Sequence, residues 1–226
     1  MTPLYAVSQS AVQAYNQGVQ RLNASKFNEA LPFFDQAIGR DDAFPEAFYA
    51  RGVCKHRLQD PQGALSDLNQ AIELKPDYLD AYTQRGVVWY EQEQSDPAYQ
   101  DFDFVLKRRP NDTQALLGRG VIALRQDQLE TARRDLSLFL KLRPRDPLAP
   151  EIRKVLAALP RESAEEPTPS RGQALGARPS SIDTERLTQD LFLKSKGMSE
   201  AYEQKVLRGE RADAVGDIRS HPSAPK

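Results

Sequence analysis

Cysteine is almost missing from this chain: Cys54 is the single one in 226 residues. One cysteine excludes an internal disulfide framework and a multi-cysteine zinc site. Its expected state is that of a small buried residue, not a reactive thiol. Histidine is nearly as scarce, and His56 and His221 lie far apart with no nucleophile motif beside either. There is no P-loop, no dinucleotide-binding glycine motif and no zinc-ligand spacing. The sequence therefore predicts no enzyme, no cofactor and no metal. No stretch approaches the ~20 apolar residues of a membrane span. The first residues, MTPLYAVSQSAVQAY, lack the basic region and apolar run of a secretory leader, so a cytoplasmic location is expected. The net charge of -1 gives no overall bias toward nucleic acid or an anionic membrane.

What the chain does have is a period. Gly18, Gly52, Gly86 and Gly120 stand 34 residues apart, and Ala30, Ala64, Ala98 and Ala132 follow each of them by 12. Pro76, Pro110 and Pro144 form a third column, with Asp42 in the first repeat. Small residues at fixed phases of a fixed period mark a stacked repeat array. The repeats run 11–44, 45–78, 79–112 and 113–146, and each reads as two helices. In the second, helix A is expected over Pro45–Leu58, with Pro45 at a first helical position where a missing N–H costs nothing. Asp60 and Pro61 read as N-cap and first residue of helix B. The third repeat is expected to reuse the device with Asp96 and Pro97, and the fourth with Asp127 and Glu130 as a capping-box pair.

The columns have a packing logic. Glycine on helix A and alanine on helix B let two backbones approach. Phe34, Leu68, Phe102 and Leu136 then fill one row, and Ala37, Ala71, Val105 and Phe139 the next. Trp89 is read as a packing residue that gives the third repeat the bulkiest core. In these columns, over residues 11–146, the chain resembles the tetratricopeptide repeat (TPR) family. The resemblance implies an all-α fold: a right-handed α-solenoid of four TPR helix pairs. A capping helix is expected at 147–159, where Leu148, Ile152, Val155, Leu156 and Leu159 share one face.

Outside the array, residues 1–10 read as a leader segment. Residues 160–180, rich in Pro, Ser, Gly and charge, read as a flexible linker. The largely disordered tail, 181–226, carries two short inducible helices, near 181–196 and 199–208, each too short to be stable alone. Leu187, Leu191 and Phe192 form an apolar face suited to a contact, including docking in the chain's own groove.

Arginine precedes three of the four glycines, at Arg51, Arg85 and Arg119, and an aspartate follows each by 16 residues, at Asp67, Asp101 and Asp135. The first repeat has Gln17 and Phe33 at those places, so both partners are missing together. This joint loss points to an Arg–Asp bridge between helices A and B, a structural device. The other pairing, from each aspartate to the next repeat's arginine, would leave Arg51 facing Phe33.

The resemblance also implies a concave groove, lined by the A helices, that takes an extended peptide or a helix. By phase its residues are Tyr15, Asn16 and Val19; Tyr49, Val53 and His56; Thr83, Gln84, Val87 and Tyr90; and Leu117, Val121 and Arg125. Tyrosines with polar tips suit such anchoring. Valine occupies the row where the family's carboxylate-clamp members need asparagine, which argues against that mode. Charge is uneven: residues 41–106 carry a net of -8 and residues 107–154 a net of +6. That dipole suits a partner of opposite polarity or self-association. The expected function is a non-catalytic protein–protein adaptor with the tail as second contact. The alternative is a structural subunit or assembly factor of a larger complex whose tail orders on a neighbour. Nucleic-acid binding ranks below both, because aromatics do not interleave with the basic residues.

Overall fold

A computed structural model describes residues 7–159, 186, 189–191 and 194. Residues 1–6, the linker 160–180, the expected helix at 199–208, Leu187 and Phe192 lie outside the described residues. Among the described residues there are nine α-helices of ten residues or more. They are α1 (Gln9–Asn23), α2 (Phe27–Arg40), α3 (Pro45–Arg57), α4 (Pro61–Leu74), α5 (Leu79–Glu91), α6 (Ser95–Arg108), α7 (Thr113–Arg125), α8 (Leu129–Leu142) and α9 (Ala149–Ala158). The fold is all-α, built of consecutive helix pairs. No described helix is long and apolar enough to cross a membrane. The described residues divide into two compact units, one up to Val105 and one from Leu106 on.

Within the pairs, the glycine column is where the backbones close. A Cβ on Gly18 would lie 2.6 Å from the Phe34 ring, on Gly86 2.8 Å from Phe102, and on Gly120 2.9 Å from Leu136. Gly52 is looser, with Leu68 at 3.1 Å. The large residue of helix B thus sits directly on the glycine of helix A. Phe34, Leu68, Phe102 and Leu136 are all buried, each contributing about 2–3 kcal/mol of hydrophobic burial. Trp89 is half-buried and packs on a core that includes Leu68, Ala71, Tyr78 and Val88.

The turn between helices A and B is the same in every pair. Ser25, Gln59, Glu93 and Asp127, again 34 apart, all adopt positive φ, between 56° and 62°. The next residue then donates its N–H back to a carbonyl of helix A: Lys26 to Arg21, Asp60 to Lys55, Gln94 to Trp89 and Gln128 to Ala123, at 2.8–2.9 Å. This is the Schellman arrangement, which satisfies the last carbonyls of helix A. The same residue opens helix B, its carbonyl accepting from the N–H four positions on, at Ala30, Ala64, Ala98 and Ala132.

That geometry corrects two of the expected caps. Asp60 does cap α4, its carboxylate accepting from the Gly63 N–H at 2.9 Å, with Pro61 at the first turn. The equivalent of Asp60 in the third repeat is Gln94, however, so Asp96 lies inside the first turn of α6. In the fourth it is Gln128, which makes no side-chain cap bond, and Asp127 is the left-handed residue before it. The Schellman turn has a set length, and that length outranks cap propensity. The capping helix begins at Ala149, two residues later than expected, because the Asp146 carboxylate turns the chain first by accepting from the Leu148 N–H at 3.0 Å.

Candidate functional site

The three Arg–Asp bridges are formed, each by two parallel hydrogen bonds. Arg51 reaches Asp67 at 2.9 and 2.7 Å, Arg85 reaches Asp101 at 2.9 and 2.7 Å, and Arg119 reaches Asp135 at 2.7 and 3.0 Å. Fork-to-fork pairing of this kind fixes geometry as well as charge. The aspartates are buried. The remaining guanidinium nitrogen of Arg51 donates to Asp35 at 2.7 Å and that of Arg85 to Asn69 at 2.7 Å. Arg51 and Arg85 therefore each tie three successive helices. Arg51 lies over the Phe48 ring at 5.5 Å, and Arg85 lies over Tyr82 at 5.2 Å. Burial opposes the charge on Arg51 and Arg85, but the hydrogen bonds they donate to carboxylates and the charge of those carboxylates outweigh it and hold both above their ordinary value. Burial also pushes the Asp101 carboxyl up, against the pull of Arg85.

The A helices of the first unit bring the predicted groove residues together, α3 packing against both α1 and α5. At the centre is a polar relay. His56 Nε2 stands 2.7 Å from Glu91 Oε2, and His56 Nδ1 stands 3.1 Å from Gln84 Nε2. When the Gln84 amide donates to Nδ1, the neutral ring carries its proton on Nε2 and donates it to Glu91. Thr83 donates its hydroxyl to the Leu79 carbonyl at 3.1 Å. Tyr49 packs its ring on Tyr78 at 5.2 Å. Tyr15 packs on Phe34 and Phe44 at 5.9 and 5.0 Å.

Several of these side chains are not surface. Val53, Val87 and Val121 are buried, and so are Tyr15, His56, Thr83, Gln84 and Tyr90. Tyr15 and Tyr90, expected as surface anchors, are thus covered, and of the groove valines only Val19 is not buried. Val53 belongs to α3, which packs against both α1 and α5 and is covered from both sides. Asn16 is exposed, and Val19 and Tyr49 are half-buried, in the first unit. In the second, Leu117 is half-buried and Arg125 exposed. Asn16 lies with Gln9, Gln13, Gln17 and Gln20 along an open depression on α1.

Sequence reasoning missed Glu91, Asp35 and Asn69. Asp35 and Asn69 carry a usable signal: they stand 34 apart and 16 before an arginine, mirroring the aspartates 16 after. Of the tail contact residues, Leu191 is described and buried, and nearby Lys194 donates to Glu151 on α9 at 2.6 Å.

Comparison with known proteins agrees with this geometry. No curated protein sequence matches the chain at a significant level. Among solved structures, residues 41 to the end of MamA from Desulfovibrio magneticus RS-1 share the fold at 18% identity and a TM-score of 0.62, over 87% of this chain and 98% of that one. YrrB, a TPR protein with an unusual peptide-binding site, matches at 25% identity and a TM-score of 0.56, over 64% of this chain and 75% of YrrB. The first TPR of Spaghetti (RPAP3), solved with the HSP90 peptide SRMEEVD, matches at 25% identity and a TM-score of 0.52, over 55% of this chain and 98% of that one. The tetratricopeptide repeat sequence profile matches residues 15–78 and 83–150, more than half of the chain. With the 34-residue period, the packing of a large helix-B residue on each helix-A glycine and the recurring turn, this match establishes that the chain belongs to the tetratricopeptide repeat family.

Proposed function

We propose that this protein is a non-catalytic adaptor that binds a peptide or helical segment of a partner protein on the A-helix face of α1, α3 and α5. The observation that carries this reading is the matched TPR architecture. It is shared at 25% identity with YrrB, which has a peptide-binding site, and with the RPAP3 repeat domain solved with a bound peptide. On this face Asn16, Val19 and Tyr49 make the accessible contacts. The His56–Gln84–Glu91 relay is the rigid floor that sets the spacing of α3 and α5 beneath them. The tail belongs to the same reading as a second contact element.

The test is selection of binding peptides from a displayed random library on the full-length chain, followed by titration against Asn16→Ala, Val19→Asp and Tyr49→Ala. Each variant should weaken the selected peptide, with Tyr49→Ala losing about tenfold or more, as buried aromatic anchors do. Peptides that bind all three variants as tightly as the parent would refute this face as the site.

A further inference from the structure

The described tail residues carry an inference that the adaptor reading does not require. Arg186, Gln189, Asp190, Leu191 and Lys194 are helical. Arg186, Gln189 and Asp190 are exposed, while Leu191 is 0% exposed. A short helix cannot bury a leucine by itself, so other parts of the chain must cover that side chain. Lys194 lies three residues after Leu191, and both are helical. Its Nζ donates to Glu151 Oε1 at 2.6 Å. Glu151 belongs to α9, and Leu148 and Val155 lie three before and four after it, on the same side of that helix. The Lys194–Glu151 bond thus brings the tail segment that carries the buried Leu191 to the capping helix at the anion flanking its apolar stripe, all within the second unit. The 26 residues between Leu159 and Arg186 reach up to roughly 90 Å when extended, so chain length sets no obstacle.

We propose that the segment carrying Leu191 and Lys194 is a second, built-in cap that docks in cis on the Glu151 face of α9. This makes α9 a binding site distinct from the A-helix face. Its ligand class is an amphipathic helix bearing an apolar residue and, three positions on, a lysine; the chain's own tail is the resident occupant. Tethering favours that occupant through high effective concentration. The helical groove of α1, α3 and α5 is left to the partner, which separates this tail contact from occupation of the groove.

The experiment is hydrogen exchange of α9 amides in the full-length chain. Leu191→Asp should speed exchange across residues 149–158 by about 10- to 100-fold, the loss expected for one buried leucine, and leave α1–α5 unchanged. Lys194→Glu should give a smaller effect, about two- to fivefold, as for a partly exposed ion pair. Adding Glu151→Lys to Lys194→Glu should restore protection. A synthetic peptide of residues 181–197 should bind the full-length Leu191→Asp chain and slow α9 exchange again, but should not bind the parent. Unchanged α9 exchange in Leu191→Asp, or no peptide binding, overturns the proposal. Dimers by light scattering that Leu191→Asp abolishes would place the segment on a second copy and overturn docking in cis.

Discussion

Arg85 of α5 grips Asp101 of α6 through two hydrogen bonds of 2.9 and 2.7 Å while its third nitrogen holds Asn69 of α4 at 2.7 Å. The charge that matters is the carboxylate, because it is the buried partner and the arginine does not titrate. Replacing Arg85 with methionine strands Asp101 and should cost about 3–5 kcal/mol at pH 7 in denaturant unfolding. Arg51→Met should cost less, because Lys55 still reaches Asp67 at 2.9 Å. The pH dependence has a definite sign. Burial already raises the Asp101 carboxyl. Losing Arg85 raises it further, so the deficit of Arg85→Met should shrink as the pH falls toward about 4 and the carboxyl takes up its proton. A deficit that grows in acid would contradict this account.

The glycine column predicts an ordered series of alanine substitutions. Gly86→Ala drives a methyl into Phe102 and Gly18→Ala into Phe34, both buried rings. Each should destabilise by about 1–3 kcal/mol despite the better helix propensity. Gly39, in α2, has open space where a methyl would stand, with nothing within 4 Å. Gly39→Ala should therefore stabilise by about 0.5–1 kcal/mol. Thermal melts of the three variants measure the order directly.

The turn residues offer the opposite gain. Gln59 holds a left-handed conformation at φ 62° with an exposed side chain. Gln59→Gly should therefore raise stability by about 0.5–1 kcal/mol by relieving the Cβ clash, and Gln59→Val should lower it. Equal stabilities for the two variants would argue against strain at this turn.

Burial also makes the protein sensitive to alkali. Burial pushes the Cys54 thiol up to about 12. Burial, with Glu46 nearby, raises the Tyr15 and Tyr78 phenols as well. Groups raised in the folded state contribute stability that is complete below their unfolded values, near about 9 and 10, and lost as pH climbs through the folded ones. Unfolding free energy should stay flat on this account from about pH 7 to 9 and fall above about pH 10, less steeply in Tyr15→Phe. Iodoacetamide should label Cys54 at about pH 8 only at the rate of opening or unfolding.

Much of the fold is readable from residue spacing. The glycine, alanine and proline columns locate the helix pairs because close packing between helices tolerates few residue types. The Arg–Asp pairing is readable for a related reason: the first repeat loses both members at once. Exposure on the A-helix face is harder to read. Val19 and Val53 occupy the same phase of the repeat, yet Val53 is buried and Val19 is only half-buried. Val19 belongs to the first A helix, whereas α3 is flanked by both α1 and α5. Position in the stack, not residue type, decides which side chains remain accessible.

The sequence by itself determined the period, the all-α class, the family and the residue pairs that lock helix A to helix B. All of these follow from local helix chemistry repeated at a constant interval. Only the tertiary structure decided that Gln94 and Gln128 open their helices, that His56 joins Gln84 and Glu91, and that Lys194 meets Glu151 on α9. Those features depend on backbone closure at left-handed turns and on side chains brought together from 28 to 43 positions apart, and no local pattern encodes either.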